Sequence, residues 1–500
     1  MSTTPLTHTQ GASACSVVLG NIDTFEHIFT HVLCSYTCPC SSPELSRIAL
    51  VCKDFLEKVL DYTWLTLGSL LPLLKILPAF KALGSDYGIH GAISEGDWAR
   101  FDYYARRVRA MRISKVDDLR LSASASTRLA QLRPNAFLPA LRQLSISFFE
   151  ERDLPWLYLC LSPTLDSVSV YSPRSVPTTW IGFFLSALAD NAPTLSSLRV
   201  VGRKSLDEAL FPLSRFGNLR TLDIKPKPCS DGFFEQIGHL TNLTKLSIDL
   251  LTTPTNLVVI HFDSLQELCI SSSFDIISDV LLQITAPGLL CFEMYGGSKH
   301  AKNTHLRNVG HCLSTLGRRW PMLRELRIAG PSDSLPSEET ANIVDLLKQL
   351  VQLQKFDIDQ WQGALILSGS DILAVTARWS KIKRLSFPWL MENRNDAVTL
   401  QELGLLASRC PLLDYLQIYL DLSIIPPFVS GASTLSQLRI LSVGNRNEIK
   451  NIEEMLKVAR YLDHYFRFLD DIECHDLHDK ASWCQVMDVI RMFQSIRANT

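Results

Sequence analysis

The residues of this chain whose types and spacing could do chemistry gather near its start. Cys34, Cys38 and Cys40 stand close to His27 and His31, and thiolate and imidazole are the donors a zinc ion prefers. A structural zinc site needs four such ligands, usually a C-x₂-C pair facing a second knuckle. Here Cys34-x₃-Cys38-Pro39-Cys40 has no second pair nearby, so the stretch is read as an incidental Cys-rich loop and no metal is expected. Glu26-His27-Ile28-Phe29-Thr30-His31 has the residues of an H-E-x-x-H helix, but the glutamate precedes both histidines and cannot serve as the general base. Arg100, Arg106, Arg107, Arg109, Arg112 and Lys115 are interleaved with Phe101, Tyr103 and Tyr104, a mixture that can grip nucleic acid. The preferred reading is a helix leading into a strand, its aromatics buried and its arginines solvated or paired. No glycine-rich phosphate loop follows a strand, and no G-x-S-x-G elbow occurs. The expectation is a protein that is not an enzyme and takes no cofactor.

The elements that would position such residues come from a recurring six-residue phrase: apolar, two spacers, apolar, one spacer, apolar. Leu219-Arg220-Thr221-Leu222-Asp223-Ile224 is one copy, followed by Leu243-Thr244-Lys245-Leu246-Ser247-Ile248 and Leu265-Gln266-Glu267-Leu268-Cys269-Ile270. Further copies are anchored at Val108, Leu141, Leu165, Leu195, Leu289, Leu323, Leu353, Ile382, Leu413 and Leu438, with a frayed one from Leu469 to Cys474. Neighbouring anchors lie 22 to 34 residues apart, the spacing of leucine-rich repeats with longer helical insertions. The fold class expected is α/β: a leucine-rich-repeat solenoid, a horseshoe with a parallel sheet on its concave face and helices on its convex face. Thr340 to Leu350, with Ile343, Val344, Leu346, Leu347 and Leu350 on one side, is one such helix; Asp371 to Trp379 and Thr399 to Cys410 are others.

Composition agrees with that architecture. Hydrophobic residues make up 46% of the 500, enough for a long Leu-filled interior in an array that grows without one central core. With 49 basic against 51 acidic residues and a net charge of -2, no global pull toward nucleic acid or anionic membrane is expected. Thirteen scattered cysteines form no disulfide framework, which favours a reduced setting, the cytoplasm or the nucleus. Residues 1–20 lack a basic segment followed by an apolar core, so no secretory signal is expected. The most apolar window, Trp64 to Phe80, carries Pro72, Lys75 and Pro78 and is read as a buried junction rather than a membrane span.

Because side chains alternate along a strand, the second and third apolar positions of each copy point inward and the spacers beside them outward. The outward set varies freely and forms the candidate substrate face: Asp223, Lys245, Glu267, Glu325, Arg327, Lys355, Asp357, Arg384, Tyr415, Gln417 and Tyr419. Arg199, Lys225, Lys245, Lys355 and Arg384 could alternatively serve a small anionic ligand, although acids are interspersed among them.

Residues 21–80 do not follow the phrase. Ile22, Phe25, Ile28, Phe29 and Val32 step as a short amphipathic helix, and Ser41-Ser42-Pro43-Glu44 supplies the start of a second. So many apolar residues on three short helices usually mark a protein contact. Ala49-Leu50-Val51-Cys52-Lys53-Asp54-Phe55 resembles the central segment of the F-box family, and Leu60-Asp61-Tyr62-Thr63-Trp64-Leu65 is similar to its following element. Ile28-Phe29-Thr30-His31-Val32 is similar to its first helix. The chain as a whole resembles fungal F-box proteins whose remainder is a diverged leucine-rich repeat. The resemblance implies a small all-α three-helix F-box module. It implies docking on a Skp-family adaptor, and through it a cullin, by Phe25, Ile28, Phe29, Val51, Cys52, Lys53, Phe55 and Trp64. The function it implies is that of a substrate-recognition adaptor of an SCF-type ubiquitin ligase, with the repeats holding a substrate protein. The family's opening Leu-Pro is absent from Gly20-Asn21-Ile22-Asp23-Thr24, which supports a second reading, a repeat scaffold without a ligase role.

The expected organisation is therefore a flexible terminus over 1–20, the F-box-like module over 21–80 and a linking helix over 81–104. The repeat array follows over 105–475, closed by a C-terminal capping helix over 476–500.

Overall fold

The computed structural model describes residues 47, 49–50, 53–84, 86–113, 121–133, 135–147, 154–171, 177–202, 207–225, 231–250, 259–296, 307–330, 337–360, 367–387, 397–427, 436–445, 448–449, 451–474 and 479–499. The chain divides into two compact units, one formed by Met1–Ile146 with Arg152–Leu165, the other by Ser147–Glu151 with Asp166–Thr500.

In the first unit the helices are α1 (Lys53–Thr63), α2 (Leu71–Leu74), α3 (Glu95–Ala105), α4 (Ala123–Leu132) and α5 (Leu154–Leu157). The strands are β1 (Thr66–Leu67), β2 (Phe80–Leu83), β3 (Asp86–Ile89), β4 (Ala110–Ile113) and β5 (Gln143–Ile146). Strands β1, β4 and β5 pair in parallel in that order. The segment expected to be a linking helix begins instead with an antiparallel hairpin of β2 and β3, turned at Gly84, whose φ of 61° is open to a residue without Cβ. Only after it does α3 start, fixed by a capping box in which Ser94 Oγ accepts from Asp97 N–H and Asp97 accepts from Ser94 N–H. The apolar window 64–80 is a junction as expected, with Leu67, Leu70, Leu73, Leu74 and Leu77 buried. Among the described residues no helix is long and apolar enough to cross a membrane.

The second unit carries the strands β6 (Ser167–Tyr171), β7 (Ser197–Val201), β8 (Thr221–Ile224), β9 (Lys245–Asp249), β10 (Ile260–His261), β11 (Glu267–Ser272), β12 (Ile284–Thr285) and β13 (Cys291–Gly296). They continue as β14 (Glu325–Gly330), β15 (Lys355–Gln360), β16 (Arg384–Ser386), β17 (Val398–Thr399), β18 (Tyr415–Asp421), β19 (Ile440–Asn445) and β20 (Asp471–Cys474). Apart from the short pair β10–β12 and the side strand β17, each pairs in parallel with the next along the series. The connections hold α6 (Thr178–Asn191), a 3₁₀ segment (Asp207–Arg215), α7 (Asp231–Gly238), α8 (Phe274–Gln283), α9 (Arg307–Arg319) and α10 (Ser337–Leu347). Beyond them are α11 (Gly369–Thr376), α12 (Leu400–Arg409), α13 (Ile452–Tyr465) and α14 (Lys480–Ala498).

The phrase sets the register. Leu198, Leu222, Leu246, Leu268, Phe292, Leu326, Phe356, Leu385, Leu416, Leu441 and Ile472 form one continuous row of paired positions. All are buried, as is every phrase anchor from Val108 to Leu469. From Leu165 to Leu438 the carbonyl after each anchor accepts two N–H groups from the next repeat. Arg220 O, for example, accepts from Thr244 N at 2.8 Å and Lys245 N at 2.9 Å, and Thr244 O repeats the arrangement with Gln266 and Glu267. The last copy is a true strand, since Asp471–Cys474 pairs with β19.

Helices fill the space over the inner row. Trp379, just beyond the end of α11, packs its ring at a tilt against Phe356 of β15, 5.0 Å between centroids, and donates its indole N–H to Leu347 O. Capping boxes at Ser368/Asp371 and Thr399/Glu402 start α11 and α12. Helix α12 lies so close to α13 that a Cβ on Gly404 would stand 2.5 Å from Tyr461 Oη, whose hydroxyl donates to Leu400 O. The C-terminal helix α14 buries Trp483, Val486, Met487 and Ile490 and leaves Met492 and Ile496 exposed. Trp483 Nε1 donates to Asn445 of β19, and Arg497 makes two 2.9 Å bonds to Asp463 of α13. It closes the end of the array as a cap does.

Two substitutions test this packing. Leu246→Ala, at a position with no solvent exposure, will cost about 2–5 kcal/mol in urea unfolding and broaden the transition, because damage in a stacked array stays partly local. Gly404→Ala will destabilise by about 1–3 kcal/mol, as it forces α12 away from Tyr461; an unchanged midpoint would show that the helices are not in close contact.

Candidate functional site

Two surfaces were expected from the sequence. Of the docking residues, Phe25, Ile28, Phe29, Val51 and Cys52 lie outside the described residues. Lys53 is the first residue of α1, Phe55 lies within it half-buried, and Trp64 follows its end. The Trp64 ring packs on Tyr104 of α3 at 4.7 Å between centroids, which ties α1 to the rest of its unit. A second tie is electrostatic. The buried guanidinium of Arg107, just after α3, meets Glu57 and Asp61 on α1, with 3.1 Å from Nε to Asp61 Oδ1. Tyr103 also donates its hydroxyl to Glu57. Tyr103 and then Arg107, by donating to it, hold the Glu57 carboxyl below its ordinary range. Thus Tyr103, Tyr104 and Arg107 of the basic, aromatic segment are engaged within the fold. Leu50 and Leu56 stand exposed, at 86% and 38%.

The second surface is the open face of the sheet in the second unit. Register arranges its outward residues in rows across the strands. One row reads Lys245, Glu267, Cys291, Glu325, Lys355, Arg384, Tyr415; the next reads Asp223, Ser247, Cys269, Glu293, Arg327, Asp357, Ser386, Gln417. Every residue predicted for the substrate face lies on these rows or, as Tyr419, one step along β18. Its ions are matched to one another between neighbouring strands. Lys245 meets Glu267 at 2.6 Å, Lys355 meets Glu325 at 2.8 Å, Arg199 meets Asp223 at 3.0 Å, and Arg384 meets Asp357 at 3.2 Å. Arg327 Nε lies 2.8 Å from Asp359 Oδ2. Burial pushes the Asp357 carboxyl up, against the pull of Arg384.

Three of these pairs carry an aromatic lid. Arg199 sits over Tyr171, Arg327 over Tyr295 and Arg384 over Tyr415, the last at 3.9 Å from the ring centre. The same Tyr–Arg–Asp grouping therefore recurs along the face. In it the aromatic face attracts the cation while the carboxylate fixes its direction. Such saturation leaves little for the small anionic ligand considered from sequence, since Arg199, Lys245, Lys355 and Arg384 all have carboxylate partners.

Where side chains on the face are small, it sinks into a trough of about 1160 Å³ floored by Ser247, Cys269, Ser271 and Cys291. Burial pushes the Cys269 thiol up to about 11 and Cys291 to about 12, so both are neutral thiols rather than nucleophiles near neutrality. Burial, and donation to Glu293 at 2.8 Å, also raise the Tyr295 hydroxyl. Sequence reading missed Cys269, Cys291, Glu293 and Tyr295, although each continues the outward alternation of its repeat and could have been found by extending it; Asp359 it did place outward, beside Lys355 and Asp357. Among the described residues no group of three or more His, Cys, Asp or Glu is arranged to hold a metal ion.

No family model matches the chain, and no curated protein matches it. Solved structures that resemble it include the yeast Rad7–Elc1 complex, at 16% identity and a TM-score of 0.35, covering 67% of this chain and 76% of that one. A TDR receptor resembles it at 11% identity and a TM-score of 0.31, covering 76% of this chain and 57% of the other. Likenesses at these levels assign this chain no family, partner or activity.

The contact between α1 and α3 makes a prediction about acid. A carboxylate whose folded pKa is depressed stabilises above its usual value of 4.5 and loses that contribution as pH falls through the folded value. Glu57→Gln should therefore flatten the fall in melting temperature between about pH 5 and 3; an unaltered slope would remove Glu57 from the contact.

Proposed function

We propose that this chain is a substrate-recognition adaptor of an SCF-type cullin–RING ubiquitin ligase. Its N-terminal helical module would dock on a Skp-family adaptor, and the open face of its repeats would hold the substrate protein. The observation that carries the recognition half is the open face itself. Along a parallel ladder whose inner row is buried, the outward rows hold oriented, ion-paired and aromatic side chains in a fixed two-dimensional array. Preorganised side chains lose little freedom on binding, which favours selective recognition of a folded partner. The ligase half is supported by the resemblance of Ala49 to Phe55 and of Leu60 to Leu65, and by the exposure of Leu50 and Leu56 beside them.

In this reading the chain does no bond chemistry. Tethering a substrate beside a ubiquitin-charged enzyme raises the effective concentration of its lysines, and Arg107, by anchoring α1, keeps docking module and first repeat in a defined relation within their unit. The partners are the Skp-family adaptor, a cullin through it, and a substrate protein, and the setting is the cytoplasm or nucleus. The second reading, a repeat-type interaction scaffold without a ligase role, draws on the absent Leu-Pro at Gly20–Thr24.

Co-purification from cells tests the choice. The full chain should retain a Skp-family adaptor, and Leu50→Asp with Leu56→Asp should weaken retention at least about tenfold while the melting temperature holds, since both side chains are exposed. A wild-type chain that retains no such adaptor would leave the scaffold reading in place of the ligase.

A further inference from the structure

We infer that the hollow between α13 and α14, the last two helices, is a second binding site. It takes an acidic side chain, carboxylate or phosphate, from a protein segment that carries an apolar residue beside it. Its residues belong to neither the open face nor the N-terminal module.

Charge is the first ground. Three guanidiniums, Arg460, Arg467 and Arg497, line this hollow of about 460 Å³, against one carboxylate among the described residues, Asp463. Arg497 takes both oxygens of Asp463, at 2.9 Å each. Arg460 and Arg467 are left over: no ion pair or side-chain hydrogen bond joins either to another described residue. His464, also in the wall, adds no negative charge. The C-terminal ends of α13 and α14 supply about half a negative charge each, less than two guanidiniums carry.

Burial is the second. Arg107, Arg133, Arg199 and Arg467 each have an Nε shut off from solvent that finds no hydrogen-bond acceptor. The first three nevertheless have a carboxylate in salt-bridge contact, from Glu57, Asp102 and Asp223 respectively. Arg467 has none. It stands between this hollow and a smaller one of about 350 Å³, whose other charges, Arg439 and Asp470, face each other at 3.7 Å. A guanidinium drawn out of water without a partner is costly, and an oxyanion brought from outside removes that cost.

The wall is the third. Half-buried Phe493 and exposed Ile496 give the hollow an apolar side, and exposed Phe468 edges the smaller one. A free phosphate would use the cations and leave that wall bare. Two cations also make no track for the backbone of a nucleic acid. An acidic residue next to a leucine uses both the charge and the wall.

The test uses the full chain and fluorescein-labelled twelve-residue peptides, read by fluorescence anisotropy. One repeats Gly-Glu-Leu-Ser; the others put phosphoserine for Glu, Lys for Glu, or Ser for Leu. At least one of the two acidic Leu peptides should bind, and weaken as salt rises from about 50 to 200 mM. The tighter of the two identifies the oxyanion. Arg460→Glu with Arg467→Gln should lower that affinity at least about tenfold, and Arg460→Glu alone, at an exposed position, about fivefold. Ile496→Ser should weaken the Leu peptide about threefold and leave the Ser-for-Leu form unchanged. Arg491→Gln, where α14 pairs with its own Asp488, should alter nothing. Equal or tighter binding of the Lys peptide, or affinities within about twofold for both arginine variants, would overturn the inference. Tighter binding of a labelled twelve-nucleotide oligothymidine would overturn it as well, by making the site one for nucleic acid. Adaptor retention does not pass through Arg460 or Arg467, so either failure leaves the adaptor reading standing.

Discussion

The whole second unit depends on one constraint, the shared register of its parallel strands. Side chains alternate at every residue, so a slip of one position would turn Leu222, Leu246 and Leu268 out to water and bury Thr221, Lys245 and Glu267 in their place. Burying an unpaired lysine or glutamate is costly enough to make any such slip prohibitive. One alignment survives, and it runs through the twelve strands that pair in series from β6 to β20.

The same constraint creates the open face. Spacer residues are freed from packing, but register decides which of them are neighbours. Lys245 can pair with Glu267, and Lys355 with Glu325, only because each stands directly opposite the other on adjacent strands. Arg327 and Arg384 reach diagonally to an aspartate, Arg199 stands directly opposite its own, and all three lie over a tyrosine, so the longest and most entropic side chains of the surface are held in place. Half-exposed pairs of this kind add little to stability. Their effect is to shape the surface around the hollow lined by Ser247, Cys269, Ser271 and Cys291.

The first unit solves a different problem. Its short helices cannot bury their own apolar residues, and α1 is held by a buried arginine and a Trp–Tyr contact drawn from α3, some 40 to 50 residues away in the chain. A guanidinium taken out of water requires partners, and here Glu57 and Asp61 supply them while remaining half-exposed themselves. Among the described residues of this unit, Leu50, Leu56 and Leu65 are the large apolar side chains left exposed.

The repeated phrase, its burial, the parallel pairing and the capping role of α14 were legible in the amino-acid order. They follow from periodicity, and periodicity is a local property: each anchor from Val108 to Leu469 could be named from its own neighbourhood. The outward rows were legible as a set for the same reason, even where particular members such as Glu293 and Tyr295 were passed over. The hairpin at Phe80–Ile89 was not seen, although Gly84-Ser85 between apolar runs was its signal. Which outward charges cancel, where the hollow lies, and that Arg107 binds α1 rather than solvent were decided by tertiary structure alone. These depend on distances between residues 20 to 50 positions apart, and no local pattern encodes how far one repeat's side chain reaches across to the next.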